Sequence, residues 1–432
     1  MMSVGWEMTK LKYVADCNRR VLSETTSGDR SFKYVDIGAV GQGSITMPNE
    51  LTVFADAPSR ARRLAESGDT IISTVRTYLR AVATVPETNE DLVFSTGFAV
   101  LHPRPEVSRR FLAYVLQGDV FVDKVVANSV GVSYPAITAS DLMALDLSLP
   151  PFDEQRAIAD YLDQETARID TLVAKQEEFI GLLRERRSAV RDSALTDGLK
   201  GIGASKRTGN VWLPILPSGW RAVPARRLLS YGPSNGVSPE PGRVGDMRSL
   251  SIGAVRDGRV KVSEDVTKYV DRDSLRDVSQ LLLHYGDVLI VRGNGNISLV
   301  GRAGMVGNEF TQEEYIYPDL LIRIRTTADM LPDFFVAAFD TPTSRAQIEL
   351  LARTTVGTFK ISAADVRSIV LPCPPIDEQR AIIEHLSHQT SRIDTLIAKA
   401  EEHIALAKER RSALITAAVT GQFDVRTARK AG

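Results

Sequence analysis

The chain of 432 residues has few of the residues that build disulfide frameworks or metal centres. It contains 2 cysteines and 5 histidines. Cys17 and Cys373 are too few and too far apart for a disulfide framework or a metal cluster, and the scattered histidines suggest no zinc site. We therefore expect no metal in this chain and a reducing, cytoplasmic location.

Long apolar runs and an excess of one charge are also missing. No stretch approaches the roughly 20 apolar residues of a membrane span, and the N-terminus lacks the apolar core of a signal peptide, so we expect no membrane association. The 53 basic and 54 acidic residues give a formal net charge of −1. Because nucleic-acid binders usually carry a basic excess, composition alone does not favour DNA binding. Any such contact must come from local clusters or from partner subunits.

The chain does contain a helical segment that occurs twice. Residues 151–158 (PFDEQRAI) recur as 375–382 (PIDEQRAI), and the match continues at a constant offset through RIDTL at 168–172 and 392–396 and ERRSA at 185–189 and 409–413. A segment large enough to form a domain precedes each copy. Echoes such as IGAV at 37–40 and 252–255 indicate that these two segments share a fold. The predicted order is globule, helix, globule, helix.

This order predicts five regions of the chain. In both globules, short alternating apolar stretches are broken by Gly, Asp and Asn turns and separated by helical stretches, which is typical of mixed α/β domains in an α+β fold. The regions are a first globule at 1–150, a first helix at 151–200, a linker with the second globule at 201–374, a second helix at 375–425 and a tail at 426–432.

The two repeated helices have the apolar spacing of a coiled coil. Apolar residues recur at steps of three, four or seven. Each helix is acidic at its start and basic at its end, so antiparallel pairing places acid against base. The alternative is that these charges belong to solvated faces, since exposed ion pairs contribute only about 0–1 kcal/mol each. We predict an antiparallel pair with a seam formed by Ile158, Leu162, Ile169, Leu172, Phe179, Leu183, Ile382, Leu386, Ile393, Leu396 and Leu414.

Each globule carries a polar segment after a Gly-Asp turn and an apolar strand, and a second small loop later on. Arginine can bridge guanine O6 and N7, and asparagine can bridge adenine N6 and N7. The alternative is a glycine-rich hairpin whose polar side chains are merely solvated. The candidate DNA-contacting residues are Arg76, Tyr78, Arg80 and Tyr134 in the first globule, and Arg292, Asn294, Asn296, Ser298 and Lys360 in the second.

The order of regions, with LPPFDEQRAI at the start of the first helix and ERRSA near the end of both, resembles the specificity subunits of type I restriction-modification systems. The resemblance covers essentially the whole chain; the second helix departs only in following Cys-Pro-Pro at 373–375. It implies that each globule is a target recognition domain for one half of an asymmetric bipartite site in double-stranded DNA. It also implies that the helices form an antiparallel spacer that sets the gap and docks two modification subunits.

The resemblance further implies a chain that is not an enzyme and has no cofactor of its own. S-adenosylmethionine for adenine-N6 methylation would belong to the modification subunits, and ATP with Mg²⁺ to restriction subunits that translocate and cleave. Two alternatives stay open. One is a methylation-only or other phage-defence complex that uses the same kind of subunit. The other is a non-DNA scaffold that spaces two protein-binding globules, which the near-neutral charge favours.

Overall fold

The computed structural model describes residues 6–425 except 89, 202, 239, 244–245, 276, 312, 356 and 423. The predicted tail at 426–432 lies outside these residues. The chain divides into two compact units, unit 1 with Met1–Phe179 and Lys399–Gly432 and unit 2 with Ile180–Ala398. Both division points fall inside the long helices. No helix in the described part of the chain combines the length and hydropathy that crossing a membrane requires.

The globule of unit 1 precedes the first long helix. Its strands are β1 (Glu7–Lys10), β2 (Ala15–Cys17), β3 (Ser31–Val35), β4 (Thr52–Val53), β5 (Ala61–Leu64), β6 (Thr70–Ser73), β7 (Val82–Thr84), β8 (Leu92–Ser95), β9 (Phe98–Pro103) and β10 (Asp146–Leu149). Its helices are α1 (Leu11–Val14), α2 (Arg109–Gln117), α3 (Asp119–Ala127) and α4 (Ala139–Met143), and the long helix α5 (Phe152–Thr196) follows.

The strands of unit 1 form two four-stranded sheets and a separate pair. One sheet has the antiparallel order β2-β9-β6-β7, and the other has the order β4-β3-β8-β5 with a parallel β3–β8 pairing. Every residue of β6 is buried, which suits the central position of this strand. β1 pairs with β10 directly before α5 begins, so the start of the globule lies beside the start of the helix.

Unit 2 repeats this plan with more strands. They are β11 (Ser205–Arg207), β12 (Ile215–Pro217), β13 (Arg221–Pro224), β14 (Leu229–Asn235), β15 (Met247–Leu250), β16 (Val255–Arg256), β17 (Arg259–Val260), β18 (Thr267–Val270), β19 (Val288–Val291), β20 (Gly293–Asn294), β21 (Ala303–Val306), β22 (Tyr315–Ile316), β23 (Leu321–Thr326), β24 (Arg353–Thr355), β25 (Thr358–Lys360) and β26 (Val370–Cys373). The helices are α6 (Pro332–Phe339), α7 (Pro342–Leu351), α8 (Ala363–Ser368) and the long α9 (Ile376–Val419).

The main sheet of unit 2 has the order β14-β23-β19-β21-β17-β16. Two three-stranded sheets accompany it, β18-β15-β22 and β20-β25-β24. The buried strand β19 corresponds to β6, since each follows a Gly-Asp turn. β13 pairs with β26 directly before α9, as β1 pairs with β10 before α5.

Each globule packs on the start of one long helix and the end of the other. In unit 1, Phe111 of α2 lies in one buried cluster with Ile158 of α5 and Ile415 of α9. The hydroxyl of Ser412 on α9 also donates a hydrogen bond of 2.6 Å to Asp119 of α3. Burial of one such apolar side chain contributes about 1.5–3 kcal/mol, so the long helices belong to the core of unit 1.

The same arrangement holds inside unit 2. Phe334 of α6 shares a buried cluster with Leu195 near the end of α5 and Ile382 near the start of α9. Arg191 of α5 donates a hydrogen bond of 2.8 Å to the carboxylate of Asp340, at the end of α6.

A buried glutamine joins each globule to its own long helix. The side-chain oxygen of Gln155 accepts a hydrogen bond of 2.9 Å from the backbone N–H of Ser108, the N-cap of α2, and its amide donates to the Pro150 carbonyl at 2.9 Å. Gln379 makes the equivalent pair, accepting from Leu331 N–H and donating to the Pro374 carbonyl, each at 2.9 Å. We call these contacts the glutamine joints.

Within unit 1 the two long helices run antiparallel. Asp170 of α5 forms an ion pair of 2.9 Å with Arg411 of α9, and Glu177 lies 3.9 Å from Lys408. Residue numbers therefore rise along α5 while they fall along α9. Within unit 2, Arg187 of α5 pairs with Asp394 of α9 at 2.9 Å. The predicted antiparallel coiled coil is confirmed.

The seam differs from the prediction at three positions. Leu172, Phe179 and Leu396 have exposed fractions of 50%, 42% and 38%, so they do not belong to it. The small residues Ala400 and Ala407, which continue the same spacing along the second helix, are buried. A spacing of three or four places residues on one stripe but does not show which side of the stripe faces the partner. The other predicted residues are buried (Ile158, Leu162, Ile169, Leu183, Ile382, Leu386 and Ile393), except Leu414, which is partly buried.

Candidate nucleic-acid interface

The loop after β6 in unit 1 is held in an uncommon backbone conformation. Arg76 (φ 50°, ψ 47°) and Arg80 (φ 55°, ψ 33°) are both left-handed and flank a single 3₁₀ turn. Such residues cost about 1–3 kcal/mol each and persist where surrounding contacts hold them. Thr77 supplies one such contact, because its buried hydroxyl lies 2.8 Å from that of Ser129. Tyr78, in the middle of the turn, is exposed.

A hairpin at residues 130–136 lies against this loop. Backbone hydrogen bonds of 2.8 and 3.0 Å join Val130 and Ala136, and a third of 2.9 Å runs from Ile137 N–H to the Thr74 carbonyl. The guanidinium of Arg76 consequently lies 4.8 Å from the ring centroid of Tyr134, at cation–π distance. The structure thus brings together two predicted residues that are far apart in sequence.

Arg80 has different neighbours. Its guanidinium forms ion pairs of 2.6 Å with Asp119 and 2.9 Å with Asp123, both on α3. A guanidinium bound to two carboxylates has few donors left for a base or phosphate. These contacts support a role for Arg80 in holding the loop, whereas Arg76 and Tyr134 are free of carboxylate partners among the contacts of the described residues.

The corresponding loop of unit 2 is shaped by its own side chains. The side-chain oxygen of Asn294 accepts from Asn296 N–H at 2.9 Å, and that of Asn296 accepts from the N–H and hydroxyl of Ser298 at 3.0 and 2.9 Å. Both amide oxygens therefore stabilise turns. Because these oxygens are occupied, the side chains cannot form a bidentate contact with adenine as they stand. Their NH₂ groups can still donate hydrogen bonds.

The second loop of unit 2 pairs with the first as part of one small sheet. In β20, Gly293 is paired with Lys360 of β25, and Lys360 is paired in turn with Arg353 of β24. A Cβ at position 293 would lie 3.0 Å from Cγ of Lys360, so this close approach favours glycine. Sequence reasoning missed Arg353. The only available signal was its place in a hairpin opposite a residue already chosen.

Arg292 is partly turned into the globule. It is half-buried and donates a hydrogen bond of 3.3 Å to the Asp319 carbonyl, while its Nε is buried and has no hydrogen-bond partner among the described residues. A buried donor of this kind costs about 1–3 kcal/mol unless it is satisfied. Arg292 therefore needs a modest rearrangement before its guanidinium can reach a base edge.

Other arginines of unit 2 are used to support the sheet. Asp287, in the turn before β19, is buried between Arg323 and Arg325, which lie within 3.7 and 2.5 Å of its carboxylate. Arg323 also donates to the hydroxyl of Tyr231 at 3.1 Å, and this hydrogen bond holds the pKa of Tyr231 below its usual value. In unit 1 the equivalent Asp69 contacts His102 at 2.7 Å. These groups anchor strands rather than form the loop surface.

The candidate interface of each unit thus consists of two adjacent loops. The side chains of these loops differ between the two units. Unit 1 presents an arginine stacked on tyrosine, and unit 2 presents asparagine amides with a lysine and an arginine. The described residues contain no group of three or more His, Cys, Asp or Glu side chains arranged to hold a metal ion.

Comparisons with known proteins agree with this architecture. Residues 3–179 match the family model described as "Type I restriction modification DNA specificity domain". The specificity subunit of the type I restriction enzyme EcoKI from Escherichia coli K12 is 26% identical over 333 residues, which are 76% of this chain and 69% of that protein.

Two solved structures share the fold. A chain from work on complex assembly and conformational transition of the type I R-M system has a TM-score of 0.72 and 22% identity, covering 98% of this chain and 100% of that one. The HsdS subunit from Thermoanaerobacter tengcongensis has a TM-score of 0.50 and 22% identity, with 98% of each chain covered. These matches identify residues 3–179 as a DNA specificity domain of the type I restriction-modification kind, and they show that the whole chain shares the fold of the two solved structures.

Proposed function

We propose that this chain is the DNA sequence-recognition subunit of a type I restriction-modification complex. Each unit recognises one half of an asymmetric bipartite site in double-stranded DNA. The observation that carries the proposal is that the two units share the same arrangement of strands and helices but differ in the side chains of their loops. Both units have adjacent loops after the same kind of buried strand, but the side chains differ, as expected for two different half-sites.

The loop chemistry supports contacts with DNA of two kinds. Arg76 and Tyr134 in unit 1, and Lys360 and Arg353 in unit 2, offer cations and an aromatic face to phosphates and bases. Few cations lie in these loops, so this chain contributes a small part of the electrostatic attraction. In this proposal, modification subunits supply the remainder.

The paired helices serve as the spacer and as the docking surface for two modification subunits. Exposed apolar side chains on these otherwise charged helices, among them Leu172, Leu182 and Leu406, support this docking role. The chain itself performs no chemistry in this proposal. S-adenosylmethionine is bound by modification subunits that methylate adenine, and ATP with Mg²⁺ by restriction subunits.

Methylome sequencing of a host with and without this chain tests the proposal. The expected result is a bipartite motif that is methylated only when the chain is present, and its absence would contradict DNA recognition. A methylation-only complex would show the same motif without cleavage of unmodified DNA. A non-DNA scaffold would show no methylation change, and the purified complex would show no salt-sensitive binding to duplex DNA.

A further inference from the structure

Unit 1 has an exposed apolar surface beside Arg76. It is formed by the loop after β6 and the hairpin at residues 130–136. We call it the apolar tip and define it by Tyr78, Leu79, Val130, Val132 and Tyr134. Val132 is fully exposed, Val130 is 81% exposed, and the other three are at least half exposed. Isolated exposed apolar residues are common, but five grouped on two touching loops are not.

Hydrogen bonds fix the bases of the two loops that carry the apolar tip. Backbone hydrogen bonds close the hairpin between Val130 and Ala136, and Ile137 N–H ties it to Thr74. The hydroxyls of Thr77 and Ser129 join the other loop to the end of α3. A surface fixed in advance loses little conformational entropy on binding, which favours recognition of a ligand of defined shape.

The second loop of unit 2 differs from that of unit 1 in the described side chains that it presents. It presents Arg353, Thr354, Thr358 and Lys360, which are basic or hydroxyl side chains. Because the two loop pairs occupy the same place in the repeated plan, they are expected to meet the same kind of ligand. The apolar tip of unit 1 therefore indicates contact with an apolar group of that ligand, where the loop of unit 2 indicates contact with polar or charged groups.

We propose that the apolar tip forms a subsite for the C5-methyl group of thymine in the major groove. This methyl is the apolar group that distinguishes thymine among the base edges exposed there, and aliphatic side chains recognise it by contact. Arg76, stacked on Tyr134, places a cation beside the tip for a neighbouring phosphate or guanine. This inference rests on the proposed function and adds that the half-site of unit 1 contains at least one thymine recognised through its methyl group.

The test uses the complex of the full chain with its modification subunits and a duplex carrying the methylated motif. Each thymine of the motif is replaced in turn by deoxyuridine, which lacks only the methyl. At one position in one half-site, the wild-type complex should lose affinity by about fourfold, the factor for one buried methyl group. In the Val132→Ser complex the same replacement should have no effect, because the contact is already lost.

Val211→Ser is the matched control. Val211 lies in unit 2 and is 89% exposed, so its replacement changes an exposed valine outside the tip. This variant should keep the wild-type response to deoxyuridine. Val132 has no buried contacts, so loss of folding in Val132→Ser is not expected, and circular dichroism checks it.

Three results would overturn the inference. In the first, the wild-type complex binds every deoxyuridine duplex as tightly as the natural one. In the second, the Val132→Ser complex responds to deoxyuridine as the wild type does. In the third, Val132→Ser weakens assembly with the modification subunit instead of DNA binding. The last result would assign the tip to a protein partner. Failure of the proposed function is distinct, since the wild-type complex would then not prefer the motif over random duplex.

Discussion

Nε of Arg411 on α9 lies 2.9 Å from Oδ1 of Asp170 on α5. In the repeat, Arg411 corresponds to Arg187 and Asp170 corresponds to Asp394, and these two residues also form a pair of 2.9 Å within unit 2. The same two positions of the repeat therefore form an ion pair in both units. In unit 1 the acid is on α5 and the base on α9, and in unit 2 the base is on α5 and the acid on α9. This exchange is possible only when the helices run antiparallel.

A charge-reversal cycle tests that pairing. Arg411→Glu should destabilise the protein, and Arg411→Glu with Asp170→Arg should recover part of the loss. Because Asp170 is about half exposed, the coupling energy should be about 1 kcal/mol or less. Urea unfolding of the four variants measures it. The same cycle on Glu177 and Lys408, which are 3.9 Å apart and mostly exposed, should give almost none. Equal coupling in both cycles would contradict a specific contact.

The glutamine joints predict a large effect from a small change. Gln155→Ala or Gln379→Ala leaves backbone groups without partners at sites where the glutamines are 2% and 0% exposed. Each should lower the free energy of unfolding by about 1–3 kcal/mol. Gln164→Ala, on the exposed face of α5, is the control and should change it by less than about 0.5 kcal/mol. A similar loss in all three variants would attribute the effect to the helix and not to the joints.

The two arginines flanking the 3₁₀ turn should behave differently on mutation. Arg76→Ala should weaken binding of the complex to its motif and reduce the salt dependence by about one phosphate contact. Arg80→Ala removes the ion pairs with Asp119 and Asp123 and should lower stability more than it lowers the salt dependence. Titrations at several salt concentrations, with urea unfolding of the same variants, separate the effects. The reverse outcome would identify Arg80 as the contact.

Tyr315 should make the protein less stable at alkaline pH. Burial, and then its hydrogen bond to Glu313, raises the pKa of Tyr315 to about 12, whereas an unfolded tyrosine titrates near 10. The stabilising contribution is present below pH 10 and is lost as the pH rises towards 12, because the unfolded state releases its proton first. The urea midpoint should fall less between pH 9 and 11 in Tyr315→Phe than in wild type. Exposed Tyr285→Phe should retain the wild-type fall.

Shortening the paired helices should change the gap between half-sites before it changes their sequences. Removing two turns, about seven residues and roughly 10 Å, from the middle of α5 and from the facing part of α9 should shorten the gap by about three base pairs. Methylome sequencing reports both quantities. An unchanged gap would contradict the spacer role, and a changed half-site would indicate that the globules had been disturbed.

The repeated helices and their direction are predictable because their signals are local. The segments after Pro151 and Pro375 carry their own starts, apolar spacing and charge gradients. The exposure of Leu172 and Leu396 is not predictable, since their spacing places them on the same stripe as the buried residues Ile169 and Ile393. The glutamine joints were missed for a similar reason. The partners of Gln155 and Gln379 are backbone groups, which leave no pattern in the sequence.

The candidate site is predictable in its composition but not in its geometry. Arginine and asparagine after a buried strand indicated one candidate loop in each unit, and the structure places Arg76 beside Tyr134 of the second loop. The carboxylates that bind Arg80 and the turns that occupy the oxygen of Asn294 depend on tertiary contacts and local backbone angles. Which of these residues contact bases stays a prediction.

The glutamine joints have a consequence for how such a chain can change over time. At each joint the globule supplies only backbone groups, at Ser108 in one case and at Leu331 in the other, and every amino acid except proline carries such an N–H. This part of the contact therefore does not depend on which side chains the globule carries, so a different globule of the same plan can keep the joint. Exchange of a whole globule then replaces every side chain of its loops while its connection to the helix is kept.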